Sequence, residues 1–353
     1  MNFSLSRALS RVKDSLWQIM QLVLASIVAY LIARFGLGHP APLLAVTVAI
    51  SSLGFARDTR PGRVATTALA MVMGVVLSET VLVLFGPGTF QLLSVILLAL
   101  LLARLISPNP TFALTVAIQA VLVQLLDAPT GGDFARVIDG LIGGLVALSF
   151  TALAPRNPIR LARADSRLLF ASFKQTLAKL REVLLTTDKA TADLALEKIR
   201  QTQPLIDNWK SSLESAAAIT KVSPFYRWAQ KEIADQTVLF GGMDLATRNL
   251  RVITRRIDYV LSDQRPRPEL AAVISKALIA VDLLEQSLDD FSLRAKAQKY
   301  LEKLLKQLDP ESIGAAGLSD QVIFMQLRPM LVDLAVASGI EPQQALKLLP
   351  HVD

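Results

Sequence analysis

Between residues 17 and 154 the chain is almost continuously apolar. From residue 157 onward, apolar positions recur at helical spacing with charged faces between them. A membrane-spanning helix needs about 20 apolar residues, within roughly 17–25. The first region breaks into six such segments, at about 17–35, 42–55, 64–85, 90–106, 110–126 and 134–153. The second and fifth are the shortest. Backbone polar groups in lipid must be satisfied within their own segment, so all six are read as helices. The pattern predicts an all-α protein: a six-span transmembrane domain over residues 1–155, then a cytoplasmic long-helix bundle over residues 156–353.

Parts of the apolar region repeat. PLLAVTVAI at 42–50 returns as PTFALTVAI at 110–118, 68 residues on. LIAR at 31–34 returns as LLAR at 101–104, and RVATTALAMVMGVVL from Arg63 is answered more weakly by RVIDGLIGGLVAL from Arg136. Each copy holds three spans. An odd number turns the second copy upside down in the bilayer, which predicts two inverted three-helix repeats, a plan common among transporters.

The tail lacks strand signals. Its first helix carries Leu161, Leu168, Leu169, Phe173, Leu177, Leu180 and Leu184 on one face and is expected to extend from span 6. A second is read over 190–220 with a kink at Pro204. A third is read over 224–261 with a bend at Gly241 and Gly242. The fourth starts at Pro268, after the connector RPRP at 265–268. A shorter one is expected after Ser319 as N-cap, and a last one near 341–349. The apolar stripes are read as core, and Trp209, Trp228 and Tyr226 as core or hinge packing.

Composition narrows the function. Of 353 residues, 52% are apolar, and the mean hydropathy is +0.44. There is no cysteine, so neither disulfides nor thiolate metal sites are possible. The two histidines, His39 and His351, argue against a histidine-based metal or acid–base site. Phosphate-loop, hydrolase, kinase and dinucleotide fingerprints are absent, so an enzyme is not expected, and neither a cofactor nor a metal is implied. The net charge of +7 is spread too thinly for nucleic-acid binding.

Charge fixes an expected orientation. Arg7, Arg11, Lys13, Arg57, Arg60, Arg63, Arg104, Arg156, Arg160, Arg163 and Arg167 would lie on one side, and only Arg34 and Arg136 on the other. Positive residues are retained in the cytoplasm, which places both termini and the tail there, in a multi-pass protein of the cell membrane.

Candidate transport residues follow from the repeat. Spans 2 and 5 each begin with a doubled proline, HPAP at 39–42 and SPNP at 107–110. Short, proline-led spans in matching positions point to a binding site at the repeat interface. Thr47 matches Thr115 and Ser51 matches Gln119, and these four could line a cavity. Equally, the prolines could start helices at the interface while the small polar groups mediate packing. Charge inside a membrane is costly and usually functional. Arg63 and Arg136 open spans 3 and 6 at matching places, although Arg63 also fits simple cytoplasmic anchoring. Asp139, three residues beyond Arg136, is placed to pair with it, and Glu79 lies near the end of span 3. Gly140 and Gly144 fit close helix approach better than ligand contact.

The six spans in weak repeats, the loop RDTRPGRV, the start of span 6 (RVIDGLIGGLVAL) and the helical tail together resemble the fusaric acid resistance, or aromatic acid exporter, superfamily. The resemblance covers roughly residues 15–160 and is only architectural over the tail. Its members include bacterial exporters of aromatic carboxylates and, more distantly, plant aluminium-activated malate transporters. It implies passage of organic anions with arginines along the route. Many bacterial members duplicate the whole unit in one chain, so a single unit implies a homodimer in the lipid bilayer. The leading reading is an exporter of organic, aromatic-type anions, with Asp139 or Glu79 as the titratable group. The alternatives are an anion channel of the same fold and a membrane-anchored helical scaffold or sensor.

Overall fold

A computed structural model describes residues 5–55, 60–126, 132, 134–153, 157–290, 292–310 and 317–351. Its chain divides into two units, one of residues 1–157 with 218–228, the other of residues 158–217 with 229–353. The described residues are helical throughout, without strands.

The first unit holds α1 (Leu5–Leu31), α2 (Leu43–Leu53), α3 (Pro61–Phe85), α4 (Thr89–Ile106), α5 (Pro110–Leu125) and α6 (Ala135–Leu153). Four stretches are long and apolar enough to cross a membrane: Ser15–Gly36, Pro61–Phe85, Thr89–Ile106 and Ala135–Leu153. The other two helices, α2 and α5, have 11 and 16 residues. They fall on the two segments read as shortest.

This unit is built inside out relative to a water-soluble bundle. On α4, Leu93, Leu97, Leu101 and Leu105 are 54–83% exposed and form an i, i+4 stripe. Its opposite face buries Val95, Ala99 and Ala103. On α1 the equivalent Ala25 and Ala29 are buried, followed by Ala33. Small residues at the contacts and large ones outside are how helices pack when lipid, not water, is the solvent. A water-exposed leucine stripe of that extent would drive aggregation. The chain is a multi-pass membrane protein.

The helix pairs fall into two similar sets. α1 packs on α2 and α6, and α2 on α6; α4 packs on α5 and α3, and α5 on α3. Exchanging the two three-helix segments maps the first set of pairs onto the second, and α3 packs on α6 between them. α2 also packs along α3, a pairing that α5 and α6 do not match to the same extent. Close approach explains two glycines. A Cβ at Gly74 would lie 2.4 Å from the Val116 carbonyl oxygen, and one at Gly143 would lie 2.4 Å from that of Ala45.

The second unit contains α7 (Pro158–Thr186), α8 (Lys189–Arg200), most of α9 (Gln203–Val222), α10 (Gln230–Val260), α11 (Pro268–Gln286), α12 (Leu293–Lys306), α13 (Leu318–Ala337) and α14 (Pro342–Lys347). One core runs through it, with Trp209 fully buried 5.2 Å, centroid to centroid, from Phe240, edge to face. Arg267, 4% exposed, pins the connector by pairing with Asp263 and Asp320.

Several tail expectations need correction. α7 is a separate helix, since α6 ends at Leu153 and α7 starts at Pro158. Residues 190–220 form two helices, not one kinked helix, because the chain turns at Gln201 and Thr202 just before Pro204. Gly241 and Gly242 do not interrupt α10. Instead, a Cβ at Gly242 would lie 2.4 Å from the Ala337 nitrogen, so the glycine permits close contact with α13. α12 was not read from the sequence at all. Gly317, not Ser319, is the N-cap of α13. Leu168 is 54% exposed, off the buried stripe. Trp228 is 71% exposed, with its indole N–H donating to the Phe225 carbonyl at 3.0 Å, so it is not core.

Candidate substrate-pathway site

The two short helices start in matched ways. α1 passes into a π-helical turn, Ile32–Gly36, and the Arg34 guanidinium donates back to the Pro40 carbonyl. At the equivalent place Arg104 donates to the Pro108 carbonyl at 2.7 Å. Each arginine thus holds the first proline of its doubled-proline motif. A residue before proline avoids the helical region, so α2 and α5 cannot begin earlier and start short. The Asn109 side chain then caps α5 by accepting from the Thr111 amide at 3.0 Å.

The arginines that open α3 and α6 are matched as well. Arg63 donates to the Leu53 carbonyl at 3.0 Å, and Arg136 to the Val123 carbonyl at 3.4 Å. Each therefore contacts a carbonyl at the C-terminal end of the preceding short helix. Arg63 is half-buried and Arg136 is buried.

Around Arg136 the two repeats diverge. Arg136 Nη1 lies 3.6 Å from Glu79 Oε2 on α3. Asp139 Oδ1 lies 2.6 Å from Nδ1 of His39, in the segment ahead of α2. Ser78 donates to the Gln124 side-chain carbonyl at 2.9 Å. Glu79 is 1% exposed, Asp139 5% and Arg136 8%, so all three charges are held by protein rather than by solvent. Removing one partner from such a buried pair leaves the other uncompensated, which costs about 3–5 kcal/mol. With Arg63 aligned on Arg136, Thr66 stands in place of Asp139 and Ala152 in place of Glu79, while Ser107 stands in place of His39. These three aligned positions do not carry the titratable groups found around Arg136.

The expected pairing of Arg136 with Asp139 is therefore corrected. Three residues on one helix leave two side chains angularly offset, and each finds an opposite partner on a different segment: Glu79 for Arg136, His39 for Asp139. The scarcity of histidines argued against a metal or an acid–base site in the sequence, and His39 is nonetheless brought against Asp139. No local signal links His39 to Asp139, which lies 100 residues away. Ser78 and Gln124 were missed for the same reason.

The remaining candidates take quieter places. Thr47 and Thr115 are half-buried, with hydroxyls donating within their own helices to Leu44 at 3.4 Å and Thr111 at 2.8 Å. Gln119 is buried against α3 at Gly74, and Ser51 is exposed. None of the four hydrogen-bonds to Arg136, Glu79 or Asp139 among the described residues. A Cβ at Gly140 would meet Val72, Val48 and Val75 at 3.5–4.0 Å, and one at Gly144 would meet Ala68 at 3.1 Å, in line with a packing role. Arg57 and Arg156, and the side chains of Arg7 and Arg11, lie outside the described residues.

The segment that carries this site can be compared with known proteins. Residues 22–150 match the family model described as fusaric acid resistance protein-like. The resemblance read from the sequence holds over that segment, which contains the C-terminal part of α1, all of α2 to α5 and most of α6. An uncharacterized protein of Corynebacterium glutamicum is 27% identical over 98% of this chain and 91% of its own length. A protein of Mycobacterium bovis and one of Mycobacterium tuberculosis, both provisionally named arylamide transporter, are each 24% identical over 76% of this chain and 77% of theirs. The family and the relatives' names point to a membrane transporter, not an enzyme.

Proposed function

We propose that this chain exports organic, aromatic-type anions across the cell membrane, with the Arg136 cluster as the point where anion and proton meet. The carrying observation is that the buried Arg136, Glu79 and Asp139 are brought together with His39, two charge pairs held inside the first unit. Arg136 supplies a planar, bidentate group for a carboxylate. Glu79 occupies that group in the resting protein. Protonation of Glu79 frees the guanidinium for substrate, and the His39–Asp139 pair supplies the path for the proton. The two short helices, six spans, inverted repeat, cytoplasmic termini and a homodimer complete the proposal. The exchange symmetry of helix pairing supports the inverted repeat, and the arginine asymmetry supports the orientation.

The test is flux in proteoliposomes. Uptake of an aromatic carboxylate driven by a pH gradient supports the exporter. Flux that follows voltage alone makes the protein an anion channel, and no flux for any carboxylate leaves the scaffold reading.

A further inference from the structure

The helical unit of residues 158–217 and 229–353 contains a cavity of about 450 Å³ between α13 and the segment running from Leu346 to His351. That volume lies within the range of small-molecule sites, about 300–1,000 Å³. Its floor is Arg328, 5% exposed, yet among the described residues its guanidinium meets no carboxylate partner. Nη2 donates to the Pro350 carbonyl, Nη1 faces the Met325 sulfur at 3.7 Å, and Nε has no acceptor. Burial lowers the pKa of this guanidinium, and the charge of Asp309 offsets only part of that. Among the described residues this guanidinium has one carbonyl and a thioether as hydrogen-bond partners and forms no close ion pair, so it can still take a carboxylate. Pro329, next to it, lacks the N–H that would close the helix turn on Met325, so the wall here is irregular.

The remaining walls specify the ligand's other end. Met325, Val332 and Leu346 present apolar surface, and Lys347 adds a second positive charge at the rim. One buried guanidinium, one exposed ammonium, the imidazole of His351 and an apolar wall fit a small amphiphilic monoanion. We infer that this cavity binds an organic carboxylate with an aromatic or branched apolar body, its carboxylate on Arg328 and its body against Met325, Val332 and Leu346. The site is separate from the Arg136 cluster and does not rest on the transport reading.

The experiment uses the full chain in nanodiscs carrying Arg136→Ala, so that binding at the membrane cluster does not contribute. The probe is 2-naphthoate, compared with neutral 2-naphthamide by isothermal titration calorimetry. The expected result is one saturable site per chain, at least about tenfold tighter for the acid than for the amide. Arg328→Gln should weaken naphthoate binding at least about tenfold. If Arg328→Gln lowers the melting temperature so far that the protein is not folded, Leu346→Trp at the exposed rim, which fills the cavity, must give the same loss. Equal affinity for acid and amide overturns the inference. So does unchanged binding in a folded Arg328→Gln or Leu346→Trp variant, or binding seen only when Arg136 is present.

Discussion

Arg136 on α6 faces Glu79 on α3 at 3.6 Å, while Asp139, on the same helix as Arg136, is taken by His39. The paired charges therefore tie α6 to two different segments rather than closing on α6 itself.

Arg136→Ala should reduce carboxylate flux by about tenfold or more while the protein still inserts. Lysine at 136 should rescue only in part, because a point charge lacks the bidentate fork of guanidinium. The partner identified here makes a sharper test. The double change Arg136→Leu with Glu79→Leu should keep the protein in the membrane without restoring flux. Full recovery of flux in that variant would show the pair to be a structural clasp.

Asp139→Asn and His39→Gln should each keep protein in the membrane and each flatten the dependence of flux on the pH gradient. Voltage-driven anion flux should survive. Stopped-flow uptake at a series of imposed gradients measures the slope, and an unchanged slope in both variants would remove this pair from proton transfer.

Gly241 and Gly242 are adjacent on α10 but should respond in opposite ways. A Cβ at Gly241 meets nothing within 4 Å, so Gly241→Ala should stabilise the helix by about 0.4–1 kcal/mol. A Cβ at Gly242 would lie 2.4 Å from the Ala337 nitrogen and 2.5 Å from the Asp333 carbonyl oxygen, so Gly242→Ala should cost about 1–3 kcal/mol. Chemical denaturation of the two variants measures the difference.

Burial of Asp333 pushes its carboxyl up to about 6 from an ordinary 3.8, against the opposing hydrogen bond from Asn249. A carboxyl raised on folding holds its proton more tightly in the native state. Its contribution is therefore favourable below the ordinary value and is lost as pH rises through about 6. Asp333→Asn, which keeps the acceptor for Asn249, should stabilise the protein at pH 8 by at most about 3 kcal/mol and change little at pH 4. Melting curves across that range test the sign.

A single cysteine at Pro87, in the exposed turn between α3 and α4, should react with an impermeant thiol reagent applied to intact cells. One at the exposed Ser262 should react only after lysis. The reverse pattern would invert the proposed orientation.

Much of this was readable in the chain. The span positions agree with the helix bounds within a few residues for spans 2 to 6, because a run of apolar residues is a local property. The short second and fifth helices were readable for the same reason, since their prolines act on immediate neighbours. The tail was read less well. α12 carries a narrow apolar stripe of Ala297, Leu301, Leu304 and Leu305 among many lysines, which gives a weak periodic signal. Trp228 is read as core or hinge packing from residue type alone, whereas the short 3₁₀ turn Pro224–Ala229 leaves it exposed. Gly242 looked like a bend because its reason for being glycine lies on α13.

By itself the sequence determined that this chain is helical, that its first half is built for lipid and where the short helices begin. These follow from interactions between residues at most a few turns apart. Only the tertiary structure decided who partners whom: Glu79 with Arg136, His39 with Asp139, and a buried Arg328 that faces a cavity. Those pairings join residues far apart in the chain, and electrostatic attraction inside a protein depends on separation in space and on the water excluded around it. Neither is written in the spacing of residues along the chain.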